Sequence, residues 1–282
     1  MNMELENFRL YLEIERNLSF HTVKAYTGDL QDFLERAGKD FCSMTYKNIR
    51  SYIAEIQNKK YTKTTIARKI AAIKAFYRYL YREKLVDINP AANVKAPKKN
   101  KALPEFLTES EIKRIIDQVS NQRDRAILEL LYATGMRISE LCSLNFENMN
   151  LEENEITVFG KGGKERIVLV SNKARKILLK YMESRDIAPN NPVFTSINGN
   201  RLLPRQVHRV IAKAVQKAGL SKKVSPHTFR HTFATRMLEK GADLRVVQEL
   251  LGHASISNTQ IYTHVSVERL RQTYINTHPR AN

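Results

Sequence analysis

Apolar residues in the first third of the chain recur at helical spacing. Leu5, Phe8, Tyr11 and Leu12 form one stripe, which Asn17-Leu18-Ser19 interrupts. Ser19 is placed to cap a second helix carrying Tyr26, Leu30, Phe33 and Leu34 towards Gly38. Thr45 is placed to cap a third, with Ile49, Tyr52, Ile53 and Ile56 on one face. A fourth is predicted from about Thr64 to Tyr81, with Ile66, Ile70, Ile73, Phe76, Tyr77 and Leu80. Four short helices with one apolar face each predict a small bundle. Asn89-Pro90 ends it, and the stretch from Val94 to Pro104 holds two prolines and four lysines with almost nothing to bury, which reads as an extended linker.

The pattern then changes. Thr108-Glu-Ser-Glu111 is a capping box that opens a helix. An apolar helix from Ala126 to Thr134 is closed by Gly135, and Arg137-Ile-Ser-Glu-Leu141 opens the next, so stiff elements on both sides anchor Arg137. Ile156 to Phe159 and Arg166 to Val170 are β-type runs joined by Gly160-Lys-Gly-Gly-Lys-Glu165. They predict a hairpin with a glycine-rich tip and with Lys161 where the first strand leaves for the turn. A phosphate-binding loop is excluded, because its glycine and lysine spacing is missing and a strand follows. Helices resume from Asn172 to Met182 and after Pro204, where Arg205, Gln206, His208, Arg209 and Lys213 decorate one helix. The expected organisation is a helical domain over residues 1–93, a basic linker over 94–107 and a second domain over 108–282. The expected fold class is mainly α with one small β-hairpin.

Composition narrows the partner. The 282 residues carry 47 Lys plus Arg against 29 Asp plus Glu, a formal charge of +18. A chain this basic repels itself, and a polyanion is the usual compensation. No apolar run approaches the roughly 18 residues of a membrane helix. The polar start, without a following apolar segment, predicts a cytoplasmic protein. Cys42 and Cys142 lie in partly apolar surroundings, so buried, reduced thiols are expected. Lys59, Lys60, Lys63, Arg68, Lys69 and Lys74 crowd the third and fourth helices, with Thr62, Thr64 and Thr65 at the start of the fourth. Hydroxyls and helix-terminal N–H groups there suit a phosphate backbone, so Lys63, Thr64, Thr65, Arg68 and Lys69 are candidate DNA contacts. Arg205 and Gln206 are the side-chain types that fork onto bases in a major groove, although solubilising surface charge explains them equally well.

With DNA as substrate, the remaining question is which residues could break a phosphodiester. The reaction needs an in-line nucleophile, charge stabilisation on the nonbridging oxygens and a proton for the leaving 5′ oxygen. The sequence offers no convincing carboxylate cluster for a metal, and no cofactor is expected. Arg137 and Arg230 are permanently charged forks that suit the phosphate oxygens. His227 and His253 are of the residue type suited to hydrogen bonding and proton transfer, and Lys161 is a candidate acid for the leaving oxygen. Tyr262 is the natural nucleophile, and its phosphotyrosyl product conserves the energy of the broken bond. Taken singly, each has a plain structural explanation. His227 and His231, four apart on a helix, could suggest zinc, but the glutamate of the zinc-protease motif is missing and His231 reads as structural.

The combination resembles the tyrosine recombinase, or phage-integrase-like, family and its Xer-type members. The matching stretches are Ala133-Thr-Gly-Met-Arg-Ile-Ser-Glu-Leu141, Gly160-Lys-Gly-Gly-Lys-Glu-Arg166, Ser225-Pro-His-Thr-Phe-Arg-His-Thr-Phe-Ala-Thr235, Leu250-Leu-Gly-His253 and Thr259-Gln-Ile-Tyr-Thr-His264. The resemblance implies an N-terminal four-helix, SAM-like DNA-binding bundle followed by a catalytic recombinase domain. It places Arg137, Lys161, His227, Arg230 and His253 at catalytic positions and Tyr262 as the nucleophile. It further implies a double-stranded recombination site as partner, tetramers assembled on two paired sites and a tail over 265–282, striped by Val267, Leu270 and Tyr274, that packs on a neighbouring subunit. In the free protein this tail is expected to rest on its own domain. A second recombinase or a motor protein is a further implied partner. A mobile-element integrase and a type IB topoisomerase-like enzyme share the chemistry. A non-catalytic DNA-binding regulator and a zinc-dependent nuclease are the alternatives of other classes.

Overall fold

The computed structural model of the chain describes residues 3–38, 40–59, 61–97, 106–160, 165–183, 192–252 and 267–280. Its internal contacts divide it into two compact units, residues 1–102 and 103–282. In the first, α1 (Met3–Ile14), α2 (Phe20–Ala37), α3 (Tyr46–Asn58) and α4 (Lys63–Arg82) enclose Phe8, Leu30, Phe33, Ile49, Ile56, Ile70, Phe76 and Leu80. These are the apolar stripes of the sequence, turned towards one centre. The ends follow local chemistry. The Ser19 hydroxyl accepts from Thr22 N, and Gly38, at φ 59°, donates its N–H to the Leu34 carbonyl. Thr62, two residues before the expected start, caps α4 by accepting from Thr65 N at 3.2 Å. Cys42 is exposed at the surface, which corrects the expectation of two buried thiols; Cys142 alone is buried.

The second unit contains α5 (Glu109–Asp117), α6 (Gln122–Thr134), α7 (Ile138–Ser143), β1 (Met149–Asn150), β2 (Glu155–Phe159), β3 (Glu165–Leu169), α8 (Asn172–Met182), α9 (Pro204–Lys217), α10 (Pro226–Glu239), α11 (Leu244–Leu251) and α12 (Val267–Thr277). The strands form an antiparallel sheet in the order β1-β2-β3, with Phe159 opposite Glu165 at the tip end. Helix α6 is the centre of this unit. It is buried from Ala126 to Thr134 because neighbours, among them α8 and α10, cover it on several sides. The capping box at Thr108 is present, with the Glu111 carboxylate accepting from Thr108 N at 2.8 Å. No helix among the described residues is long and apolar enough to cross a membrane.

The tail rests on its own domain. Tyr274 is buried, and its hydroxyl donates to the Ala133 carbonyl at 2.9 Å. His278 stacks on Tyr274 with ring centroids 4.8 Å apart, and burial lowers its pKa to about 3, so it is neutral. Arg280 Nη1 donates to both carboxylate oxygens of Glu129 on α6, at 2.7 and 2.9 Å, and that carboxylate is 0% exposed. Removing one partner of a buried ion pair leaves an uncompensated charge. Arg280→Met is therefore expected to destabilise the 103–282 unit by about 3–5 kcal/mol. Adding Glu129→Leu should recover most of that loss, as read from denaturant unfolding of the full chain.

Candidate active site

Two helix ends meet to make the site. Helix α6 stops at Gly135, where φ is 60° and an added Cβ would stand 2.7 Å from Phe233 Cδ1, so only glycine allows both the turn and the packing. The turn delivers Arg137 to the N-cap of α7. Glu140 sits in the first turn of α7, 1% exposed, and its carboxylate accepts from Arg137 N at 2.6 Å and Arg137 Nη1 at 2.8 Å. Arg166, from β3, forks onto the same carboxylate at 2.6 and 2.8 Å.

Helix α11 ends at Gly252, at φ 64°, where an added Cβ would stand 2.7 Å from Arg166 Cδ. The last carbonyls of a helix lack partners within it, and here arginines supply them. Arg166 Nε donates to Leu250 O at 3.3 Å, Arg230 Nη2 to Leu251 O at 2.6 Å and Arg137 Nη2 to Gly252 O at 2.9 Å. Arg230, on α10, also donates from Nη1 to the Gly135 carbonyl at 2.8 Å. Cations at the negative ends of α6 and α11 are favoured by the helix dipoles.

The electrostatics leave a surplus of positive charge. Burial pushes the Glu140 carboxyl up, but its bonds to Arg166 and Arg137 outweigh this and hold it at about 2. Burial, followed by the charges of Arg137 and Arg166, lowers the Arg230 guanidinium to about 10, which still leaves it protonated at neutral pH. Three guanidiniums thus share one carboxylate, and an anion placed against Arg137 and Arg230 relieves their mutual repulsion. Exposed His227, in the first turn of α10, stands three residues before Arg230 on the same side of that helix. Lys161, His253 and Tyr262 lie outside the described residues.

Neither Glu140 nor Arg166 is among the residues whose type and spacing alone point to phosphodiester chemistry. Glu140 had a legible cue, since a glutamate three residues after a helix-opening residue is the capping-box position. Arg166 had none beyond its place in a matched stretch. The expected DNA contacts differ in exposure and in partners. Lys63 and Thr64 are exposed, whereas the Thr65 hydroxyl meets Thr62 Oγ1 at 2.9 Å. Lys69 is buried between Asp29 at 3.1 Å and Asp32 at 2.8 Å. It lies on the Ile66, Ile70, Ile73 face, so its charge is spent inside the bundle and a phosphate contact from it is disfavoured. Arg68 pairs with the same Asp29 and donates to Ala25 O at 3.2 Å. Arg205 is exposed, while Gln206 Oε1 accepts from Leu203 N at 2.8 Å and caps α9. His231 stands beside Phe106, with ring centroids 6.5 Å apart.

Comparison with known proteins identifies the family of the chain. The model of the phage integrase family matches residues 105–269, and that of the phage integrase N-terminal SAM-like domain matches residues 5–84. The chain belongs to the phage integrase family and is an enzyme of the tyrosine recombinase type. It is 43% identical to tyrosine recombinase XerC of Thermodesulfovibrio yellowstonii, over 98% of this chain and 96% of that protein. It is 41% identical to the XerC of Bacillus subtilis, over 96% and 94%. Among solved structures, XerA recombinase is 37% identical with a TM-score of 0.52, covering 97% of each chain. A lambda integrase dimer bound to a core site shares the fold at a TM-score of 0.73 and 21% identity, covering 94% of this chain and 98% of that one.

The Glu140 pKa sets the sign of one pH dependence. The folded carboxyl is held at about 2, below its ordinary 4.5, so in acid the unfolded chain takes up the proton first. This stabilisation is complete above about pH 5 and is lost as the pH falls towards about 2. In Glu140→Gln that part of the acid slope should vanish when unfolding midpoints are followed against pH, and stability at neutral pH should fall.

Proposed function

We propose that this site-specific recombinase cuts and rejoins double-stranded DNA through a 3′-phosphotyrosyl link to Tyr262, and that it resolves chromosome or plasmid dimers. The observation that carries the reading is the pair Arg137 and Arg230, held at the carboxyl ends of α6 and α11 with more positive charge than Glu140 neutralises. Preorganised guanidiniums aimed at a phosphodiester supply the charge stabilisation that phosphoryl transfer requires, with no reorganisation during the reaction.

In the proposed step the Tyr262 oxygen attacks phosphorus in line. Its proton leaves to a base, for which His227 and His253 are the candidates. The bond to the 5′ oxygen breaks, and Lys161 or a histidine protonates that oxygen. One phosphoester replaces another, so a free 5′ hydroxyl from the same or a second duplex reverses the step without ATP. Arg137 and Arg230 hold the nonbridging oxygens throughout.

The helical bundle and the basic linker supply backbone contacts, with Lys63 and Thr64 at the exposed start of α4. Lambda integrase has been solved as a dimer on a core site and as a tetramer on a Holliday junction. A tetramer on two paired sites, with the 265–282 tail passed between subunits and with a second recombinase or a motor protein as activator, is the corresponding assembly for this chain. Its place is then the cytoplasm, on the nucleoid.

A covalent-trapping assay tests the chemistry. Nicked duplexes carrying candidate chromosomal sites are incubated with the protein in chelator and separated under denaturing conditions. Wild type should form a DNA–protein adduct and Tyr262→Phe none, while Arg230→Ala should slow adduct formation by a factor on the order of 10²–10³. Tight binding by wild type without any adduct would favour the regulator reading instead. Arg205→Ala is expected to lower discrimination at one base position by about 1–3 kcal/mol, measured by competition between variant sites.

A further inference from the structure

Arg166 lies on β3, directly after the hairpin tip, and its side chain is 13% exposed compared with 36% for Arg137. Each of its three guanidinium nitrogens has a protein acceptor: both Glu140 oxygens and the Leu250 carbonyl. Its aliphatic stem also fills the space beside Gly252, where an added Cβ would stand 2.7 Å from Cδ. The Arg137 guanidinium has two anchors, Glu140 and the Gly252 carbonyl. Arg166 touches the first directly and packs against the second. No other side chain described at this site bridges β3, α7 and the end of α11.

We infer that Arg166 is a positioning residue for strand cleavage: it holds Glu140 and the Gly252 turn in one frame, and through them fixes Arg137 without itself contacting DNA. This rests on the reading of Arg137 as a phosphate-binding residue. The chemistry of the side chain fits the role. Only a planar fork satisfies both carboxylate oxygens while a third nitrogen reaches a carbonyl, so lysine cannot replace it. Misplacing a catalytic group by about 1 Å costs on the order of 10²-fold in rate. The role also has a pH consequence. Among the described residues, Arg137 at the start of α7, Arg166 from β3 and Arg230 from α10 are the charged groups facing Glu140. Without Arg166, burial raises the Glu140 carboxyl against weaker opposition. Its protonation then releases Arg137 in mildly acidic solution.

The test uses the full chain and a nicked duplex carrying a site that wild type binds. Site affinity, single-turnover adduct formation between about pH 5.5 and pH 8, and thermal unfolding are measured for wild type, Arg166→Met, Arg166→Lys and the double variant Arg166→Met, Glu140→Gln. Site affinity is expected to stay within about threefold, while adduct formation by Arg166→Met falls on the order of 10²-fold. Arg166→Lys should recover little of that loss. Relative to wild type, Arg166→Met should lose further activity as the pH is lowered, and the double variant should not, because it has no carboxyl at position 140 to take up the proton. Near-wild-type cleavage by Arg166→Met overturns the inference, as does a defect that is independent of pH or that tracks lost folding in both single variants. Wild type that binds the site without forming an adduct overturns the recombinase chemistry itself, and this inference with it.

Discussion

A buried carboxylate organises the catalytic unit. Placing Glu140 at 1% exposure costs several kcal/mol unless opposite charge and hydrogen bonds meet it. The fold meets it from two directions, with Arg137 from the start of α7 and Arg166 from β3. Those two demands fix the distance between the sheet and the α6–α7 turn. With Arg166 in place, its stem and Nε fix the end of α11 in turn. A single desolvated anion therefore sets the relative positions of three elements that are distant in sequence.

The helix ends contribute the second constraint. Gly135 and Gly252 both adopt positive φ, and each turns its helix off at a point where a larger residue would collide with Phe233 or Arg166. The carbonyls exposed by those stops are acceptors for Arg137, Arg166 and Arg230. Each guanidinium is thereby oriented by backbone, which moves less than a side chain. Arginine suits this use because it keeps its charge even when burial and like-charged neighbours bring Arg230 down to about 10. Repulsion from Arg137 and Arg166 is left uncompensated at Arg230, which favours any anion placed against it.

Much of this was legible in the sequence wherever the cause is local. Ser19, Thr45 and Thr108 cap helices because a hydroxyl two or three residues from a free N–H needs no tertiary context. Gly38 and Gly135 end helices at positive φ, which is equally local. What escaped depends on distant partners. Arg166 and Glu140 are separated by 26 positions, and nothing in the spacing of either announces their contact. Lys69 looked like one more cation in a basic cluster, yet it falls on the apolar face of α4 and is tolerated there because Asp29 and Asp32 lie opposite on α2. Strand β1 has two residues, too few to show a period, and exists because Met149 and Asn150 pair with Ile156 and Glu155.

The tail and the active site share one structural resource, the last turn of α6. Ala133 O accepts from Tyr274 of the tail, and Gly135 O accepts from Arg230 of the site. Glu129, one turn earlier, is neutralised by Arg280. Withdrawing the tail strips a hydrogen bond and a counter-charge from the same helix whose end positions Arg230. An unpaired buried carboxylate is far more costly than an unpaired carbonyl, so Glu129 dominates the balance. Any other site for the tail must therefore supply a second arginine to Glu129, open that position to water or leave the carboxyl, which burial already pushes up, to take up a proton.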